Sequence, residues 1–281
     1  MNTLRDIAYR VEPVLWVREV LGVIPNAWQE RFLRAPRGQS ILALTARQVG
    51  KTTVAAWAIA HTMLFYSGSL SVIACPAQRQ SAEAVRRIHE LLLKAGAKFK
   101  SDNVYALELE NGSRVLALPS DDQTIRGLTV DGWIVADEAA RLPEDLIAAL
   151  RPMRAGKPQA RLAMLSTAWT RSDPFWTAWS GGNPDWMRLQ ATVDTNPELF
   201  EPQYLEQERR ELGEEAFNQE YRGIPGGTQM NPFTWDLFER ATWTHVPKAP
   251  PGPAFGPPPQ PPAVPVTNPF RTLNPFPTVR G

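Results

Sequence analysis

The sequence predicts an α/β fold, a mostly parallel sheet covered by helices on both faces. Three observations lead there. Short apolar runs of strand length alternate with helical stretches along the chain, the pattern left by successive βαβ units. Ile41-Leu42-Ala43 runs into residues 44–53, which carry Gly50-Lys51-Thr52, and residues 54–60 follow without Gly or Pro. Strand, turn and helix in that order are the setting a phosphate-binding loop requires. Another apolar run, residues 132–136, closes in Asp137-Glu138, which puts two carboxylates at the end of a core strand.

Composition sets the class. A chain of 281 residues with 43% hydrophobic and 21% charged residues is long enough for a full core and is not of disordered composition. The net charge of +1 gives no whole-molecule argument for nucleic acid. The single cysteine, Cys75, excludes an internal disulfide and fits a reducing compartment. His61, His89 and His245 are far apart with no Cys or His at ligand spacing, so a zinc site is not expected. No run of about 18 apolar residues and no signal-peptide core are present. The expectation is a cytosolic protein.

In order, residues 3–21 show helical spacing of apolar residues, interrupted at Pro13 and stopped at Gly22. Residues 1–24 are therefore a helical N-terminal segment, with the main domain at 25–245. A helix from Pro25 to Leu33 carries Trp28-Gln29. A ring beside an amide suits adenine reading, since Gln both donates and accepts; a core Trp with an exposed Gln is the other reading. After the loop helix, to about Phe65, come a strand at 70–75 and a helix at 80–94 with Arg79, Arg86, Arg87 and Lys94 on its polar side, either a phosphate-backbone contact or a solvated face. Residues 105–110 and 113–118 flank Asn111-Gly112 and predict an inserted hairpin with a type I′ turn. A helix at 144–150, strands at 161–165 and 186–191, and helices at 203–212 and 214–222 complete the domain. From Pro247 the apolar period is lost and prolines cluster, so residues 246–281 read as a disordered, Pro-rich tail.

The loop departs from G-x-x-x-x-G-K-[ST] by placing Thr45 at the first glycine. Lys51 is expected to reach the β- and γ-phosphates, and Thr52 to ligate Mg²⁺. Asp137 would hold the metal. Glu138, next in sequence, would polarise an attacking water, which argues for hydrolysis.

These residues, in this order, resemble the ATPase domain of the terminase large subunit of tailed bacteriophages, which packages DNA into capsids. The resemblance covers roughly residues 25–240. It rests on the variant loop Ala46-Arg47-Gln48-Val49-Gly50-Lys51-Thr52, on Trp28-Gln29, on Thr124-Ile125-Arg126-Gly127, on Val135-Ala136-Asp137-Glu138-Ala139-Ala140, on Ser166-Thr167-Ala168, and on Asn196-Pro197 with residues 217–223. It implies a P-loop NTPase of the additional-strand, catalytic-glutamate type with ATP and Mg²⁺ as ligands. Gln48, Val49, Gly50, Lys51, Thr52 and Thr53, with Trp28 and Gln29, would bind nucleotide. Thr52 and Asp137 would hold metal, and Glu138, Arg126 and Arg47 would act in catalysis. Arg126 would enter a neighbouring subunit's site or else pair with Asp121 or Asp122. Ser166, Thr167 and Ala168 would couple nucleotide state to movement. The implied partners are double-stranded DNA, the portal protein, the small terminase subunit and further copies in a ring, in the host cytoplasm and without a membrane.

Where the family continues into a two-metal nuclease, Asp236 and Glu239 are the last acids here and the proline-rich stretch follows. No nuclease activity is expected, and the chain reads either as a packaging ATPase served by a separate nuclease or as a truncated product. The competing readings are a helicase-like DNA motor and a non-catalytic assembly module.

Overall fold

A computed structural model describes residues 4–118 and 127–226. Arg126, Thr124 and Ile125 of the predicted site, and the tail at 246–281, lie outside the described residues. Eight strands form one sheet: β1 Ser40–Thr45, β2 Leu70–Ala74, β3 Phe99–Asn103, β4 Ala106–Leu109, β5 Arg114–Leu118, β6 Trp133–Asp137, β7 Arg161–Ser166 and β8 Trp186–Ala191. Their order is β3-β4-β5-β2-β6-β7-β1-β8. From β5 to β8 every neighbouring pair is parallel, and β3, β4 and β5 pair antiparallel. The loop strand β1 and the acid strand β6 are separated by β7. That inserted strand defines the additional-strand arrangement expected of the fold.

The central strands are apolar because both their faces are buried. Alternate residues serve opposite faces: Ile41, Val135 and Leu165 join the cluster around helix α4 (Lys51–Phe65), while Leu42, Ala136 and Met164 join a second cluster around helix α6 (Glu144–Leu150). Helix α4 is buried almost all round; it fills the layer between the sheet and helices α1 to α3. These are Leu4–Val11, Pro13–Trp16, extended by a π-helical turn to Leu21, and Ala27–Leu33. Gly22 ends the run at φ 67°, a left-handed value that favours glycine. Val14, Trp16, Val17 and Leu21 belong to the same buried cluster as α4, so the N-terminal segment shares the domain core. Helix α5 (Gln78–Lys94) follows β2. On the second face, α6 is joined by α7 (Pro174–Ser180), which is capped by Asp173. Helix α8 (Pro202–Leu212) and the short α9 (Glu214–Phe217), continued by a π turn at Asn218–Arg222, close the described chain.

Two local expectations change. The hairpin between β4 and β5 is not a type I′ turn. Gly112 N donates to Leu109 O at 2.9 Å, and Leu109 N donates to Ser113 O at 2.9 Å. Among these loop residues only Gly112 has positive φ, so the loop has three residues, a type I turn followed by a left-handed glycine. The edge strand β3 and helix α7 were not expected. β3 exposes four of its five residues and carries no alternation to read.

Candidate active site

β1 ends in Thr45, which is fully buried and has no positive φ. Nothing about its backbone demands the glycine that the usual pattern has there. The loop that follows is anchored from both sides: Ala46 N donates to Ala191 O at 2.7 Å, and Arg47 N donates to Glu220 O at 2.7 Å. Gln48 sits at φ 61° and Gly50 at φ 86°, turning the chain into α4 at Lys51. Gln29 braces this turn from α3. Its Nε2 donates to Val49 O at 3.4 Å while its Oε1 accepts from Asn26 N at 3.1 Å. A Cβ at Gly50 would lie 2.6 Å from Gln29 Nε2, the movable end of that side chain, so the left-handed φ more than the space demands glycine here. Trp28 is a core residue, as one of the two readings of Trp28-Gln29 has it, but the exposed Gln of that reading is corrected: Gln29 is buried as well. Trp28 packs in the core cluster without an open face, and Gln29 supports the loop.

Lys51 is buried. Its Nζ lies 3.4 Å from Ala46 O and 3.4 Å from Glu138 Oε1. Thr52 Oγ1 donates to Asp137 Oδ2 at 2.5 Å, and Glu138 N donates to Asp137 Oδ1 at 3.1 Å. Burial pushes the Asp137 carboxyl above its ordinary range and Glu138 adds to this; the Thr52 hydrogen bond and Lys51 oppose it. Glu138 takes φ 51° at the start of a 3₁₀ turn, Ala139–Arg141. Among the described residues Gln48 and Glu138 are the two non-glycine positions with positive φ, and both lie here. Strained backbone of this kind persists where the surroundings over-determine it and concentrates at functional sites.

The ends of β1, β7 and β6 are level: Leu44 is in register with Ser166, and Leu165 with Asp137. Ser166 Oγ accepts from Ala140 N at 3.2 Å, which ties the end of β7 to the turn after Glu138. Ser166, Thr167 and Ala168 are all buried. Beside the acid pair lies a cavity of about 340 Å³ lined by Thr52, Cys75, Arg79, Arg87, Asp137 and Glu138. The Cys75 thiol is pushed up to about 12 by burial and by Asp137, which leaves it protonated and unreactive. Arg87 Nη1 donates to Thr53 Oγ1 at 2.7 Å.

Arg47 is half-exposed and its Nε is 3.9 Å from Glu220 Oε2. The same carboxylate accepts from Arg141 Nη2 at 3.2 Å. Sequence reasoning gave Glu220 and Arg141 no place in the site. Glu220 is distant in the chain from the loop and the acid pair, with residues 217–223 standing out as a group as its one available signal; Arg141 lies three residues after Glu138, but no motif marks it. Of the basic residues on α5, Arg86 pairs with Glu83 and Glu90, Lys94 donates to Leu21 O, and Arg87 turns to the loop.

The model of the terminase large subunit, T4likevirus-type, N-terminal region matches residues 42–240. The chain belongs to the terminase large subunit family. No curated protein sequence matches it. Among solved structures, the large terminase ATPase domain of Thermus phage P74-26 superposes with a TM-score of 0.65 at 21% identity, covering 75% of this chain and 98% of that one. The HK97 bacteriophage large terminase gives 0.61 at 15%, covering 75% and 54%. That of thermophilic bacteriophage D6E in complex with ADP gives 0.57 at 15%, covering 76% and 52%. This chain thus spans about half the length of the D6E and HK97 proteins. The likeness shows a terminase ATPase fold, a P-loop NTPase with a mostly parallel sheet.

The donor set suits a small hard cation. Thr52 and Asp137 present a hydroxyl and a carboxylate at hydrogen-bond distance. Among the described residues no group of three or more His, Cys, Asp or Glu side chains is placed to hold a metal. Mg²⁺ is ordinarily held in this sparse way, by one or two protein oxygens completed by substrate phosphates and water.

Proposed function

We propose that this terminase-family chain hydrolyses ATP with Mg²⁺ and that the hydrolysis drives double-stranded DNA into a viral procapsid in the host cytoplasm. The convergence of Lys51, Thr52, Asp137 and Glu138 within hydrogen-bond and ion-pair distance carries the reading. The D6E large terminase has been solved with ADP and with ATP-gamma-S, which supports nucleotide as the ligand of this fold.

The loop amides of Gln48, Val49 and Gly50, with those of Lys51, Thr52 and Thr53 at the start of α4, form the phosphate cradle, where the helix dipole favours negative charge. The Lys51 ammonium exchanges its Glu138 partner for phosphate oxygens. Thr52 and Asp137 would hold Mg²⁺, whose charge would offset that of the phosphate oxygens. Glu138 orients the attacking water and accepts its proton at a carboxylate oxygen. Arg47, released from Glu220, adds charge at the γ-phosphate end. Arg126 acts from a neighbouring subunit; an arginine in this role contributes about 10³–10⁵ in kcat. Ser166, Thr167 and Ala168 transmit nucleotide state, because Ser166 holds the turn that carries Glu138. Trp28 supports the loop from the core beside Gln29. The partners are the portal protein, the small terminase subunit, further copies in a ring and a separate nuclease. No membrane partner is proposed; among the described residues no helix is long and apolar enough to cross one.

The test is Mg²⁺-dependent phosphate release with and without linear duplex DNA over a range of protein concentrations. We expect hydrolysis that Lys51→Ala abolishes and that DNA accelerates. Hydrolysis unchanged in Lys51→Ala would overturn the ATPase assignment. Hydrolysis indifferent to DNA at every concentration would overturn the motor.

A further inference from the structure

At the opposite end of the sheet, where β1, β6 and β7 begin, three arginines converge without an acidic partner. Helix α4 carries the chain there from the loop, a span of 15 residues, or about 22 Å at 1.5 Å per residue. It ends at Tyr66. The Arg10 guanidinium lies 5.0 Å and the Arg37 guanidinium 4.7 Å from the Tyr66 ring centroid. Arg161, at the start of β7, stands 5.0 Å from the Trp133 ring. Its Nε is fixed by Ala35 O at 2.9 Å and Pro36 O at 3.2 Å, and its Nη groups make no hydrogen bond to another described residue.

These groups line two adjoining hollows of about 330 and 370 Å³, which share Arg10, Arg37, Tyr66 and Arg161. Among the described residues none of the three guanidiniums has a carboxylate within ion-pair distance, whereas Arg34, on the wall of the same hollow, meets Glu12 and Glu30. Asp131 is the one acid on the wall, and its Oδ1 accepts from Leu70 N at 2.8 Å. Burial and the nearby Arg37 hold the Arg161 guanidinium down to about 10, which leaves it charged at neutral pH. Arg10 and Arg37 at the Tyr66 ring and Arg161 at the Trp133 ring present like charge to the same hollows, and an anion there would offset it. Cation–π contact holds the Arg10 and Arg37 guanidiniums at the Tyr66 ring, and guanidinium groups suit the bidentate geometry of a phosphoryl group better than that of a spherical ion.

We propose that Arg10, Arg37 and Arg161, lining the two hollows beside Tyr66, form a second anion site that takes a phosphoryl group, separate from the loop at Lys51. A free phosphate and a phosphodiester of duplex DNA present the same chemistry, and two arms of one experiment distinguish them. The full chain and its Arg10→Ala/Arg37→Ala variant are compared in both. In the first arm, thermal unfolding is followed in sodium phosphate and in sodium chloride of equal ionic strength. The readout is the part of the phosphate effect that the variant loses, because the Lys51 loop also takes phosphate. Phosphate at ten times its dissociation constant would raise Tm by about 3–6 °C in the wild type over the variant. In the second arm, binding of a labelled duplex is measured against salt; a backbone phosphate at this site predicts a slope shallower by about 1 in the variant.

A Tm difference alone assigns the site to a free phosphate, and a slope difference assigns it to the DNA backbone. If neither differs between wild type and variant, the site is refuted. Should the alanine variant lose stability in chloride, Arg10→Lys/Arg37→Lys serves in its place. It keeps the charge but not the planar guanidiniums, and a partial loss is then the expected result.

Discussion

Glu138→Gln is the most informative single change in this protein. The replacement is isosteric, and the φ of 51° at this position is met as readily by Gln as by Glu. Asp137 still accepts from Thr52 and from the amide of residue 138. What disappears is the carboxylate charge 3.4 Å from Lys51 Nζ and the ability to accept a proton. Glu138 is a quarter exposed, so the loss of this ion pair is screened and costs under about 1 kcal/mol. For a domain of this size that lowers Tm by no more than about 4 °C. The chemical loss is larger. A positioned general base contributes about 10²–10⁴ in rate, or about 2.7–5.4 kcal/mol of barrier at 1.36 kcal/mol per tenfold. Phosphate release therefore falls by that factor while equilibrium binding of a fluorescent ATP analogue persists, because Lys51 and Thr52 are untouched. Turnover equal to wild type would show that Glu138 is an ion-pair partner of Lys51 and nothing more, and the catalytic reasoning would fail.

Other perturbations separate structure from chemistry. Gly50→Ala adds a Cβ 2.6 Å from Gln29 Nε2 at φ 86°; a loss of about 1–2 kcal/mol is expected in urea unfolding, together with weakened nucleotide binding. Ser166→Ala removes the acceptor for Ala140 N and leaves that buried amide unpaired, costing about 1–3 kcal/mol; kcat in phosphate release should fall more than nucleotide affinity. His61 is buried, donates from Nε2 to Tyr9 O at 2.8 Å, and is held down to about 4 by burial. Its unfolded-state value is about 6.5. The unfolded chain therefore binds the proton first, and the contribution is complete above that value. Stability is lost as pH falls from about 6.5 towards 4, to a total of about 3 kcal/mol. His61→Gln should flatten that part of the curve in chemical unfolding at stepped pH.

The fold was legible where burial is two-sided. β1, β2, β6 and β7 are fully or almost fully buried, so their apolar runs stand out against the helices between them. β3 was invisible because an edge strand with four exposed residues has no core-facing pattern. The hairpin was found, but its turn was misread: Asn111-Gly112 suggested two loop residues, and Glu110 makes a third. Lys51, Thr52, Asp137 and Glu138 were readable because each pair is local and its spacing is the motif. The supports of the site were not. Gln29 reaches Val49, Ala191 holds Ala46, and Glu220 holds Arg47 across long separations in the chain, and no periodicity records such contacts. These supports also explain why the strained positions hold. Gln48 lies between Arg47, tied to Glu220, and Val49, tied to Gln29. Glu138 lies between the buried Asp137 and Ala140, tied to Ser166. Arg141 then meets the same Glu220 that holds Arg47, so the π turn at Asn218–Arg222 clasps the phosphate loop and the acid turn with one carboxylate. An anion arriving at Arg47 would compete with that carboxylate for the guanidinium, so the loosening of the clasp and the occupancy of the loop would share one equilibrium.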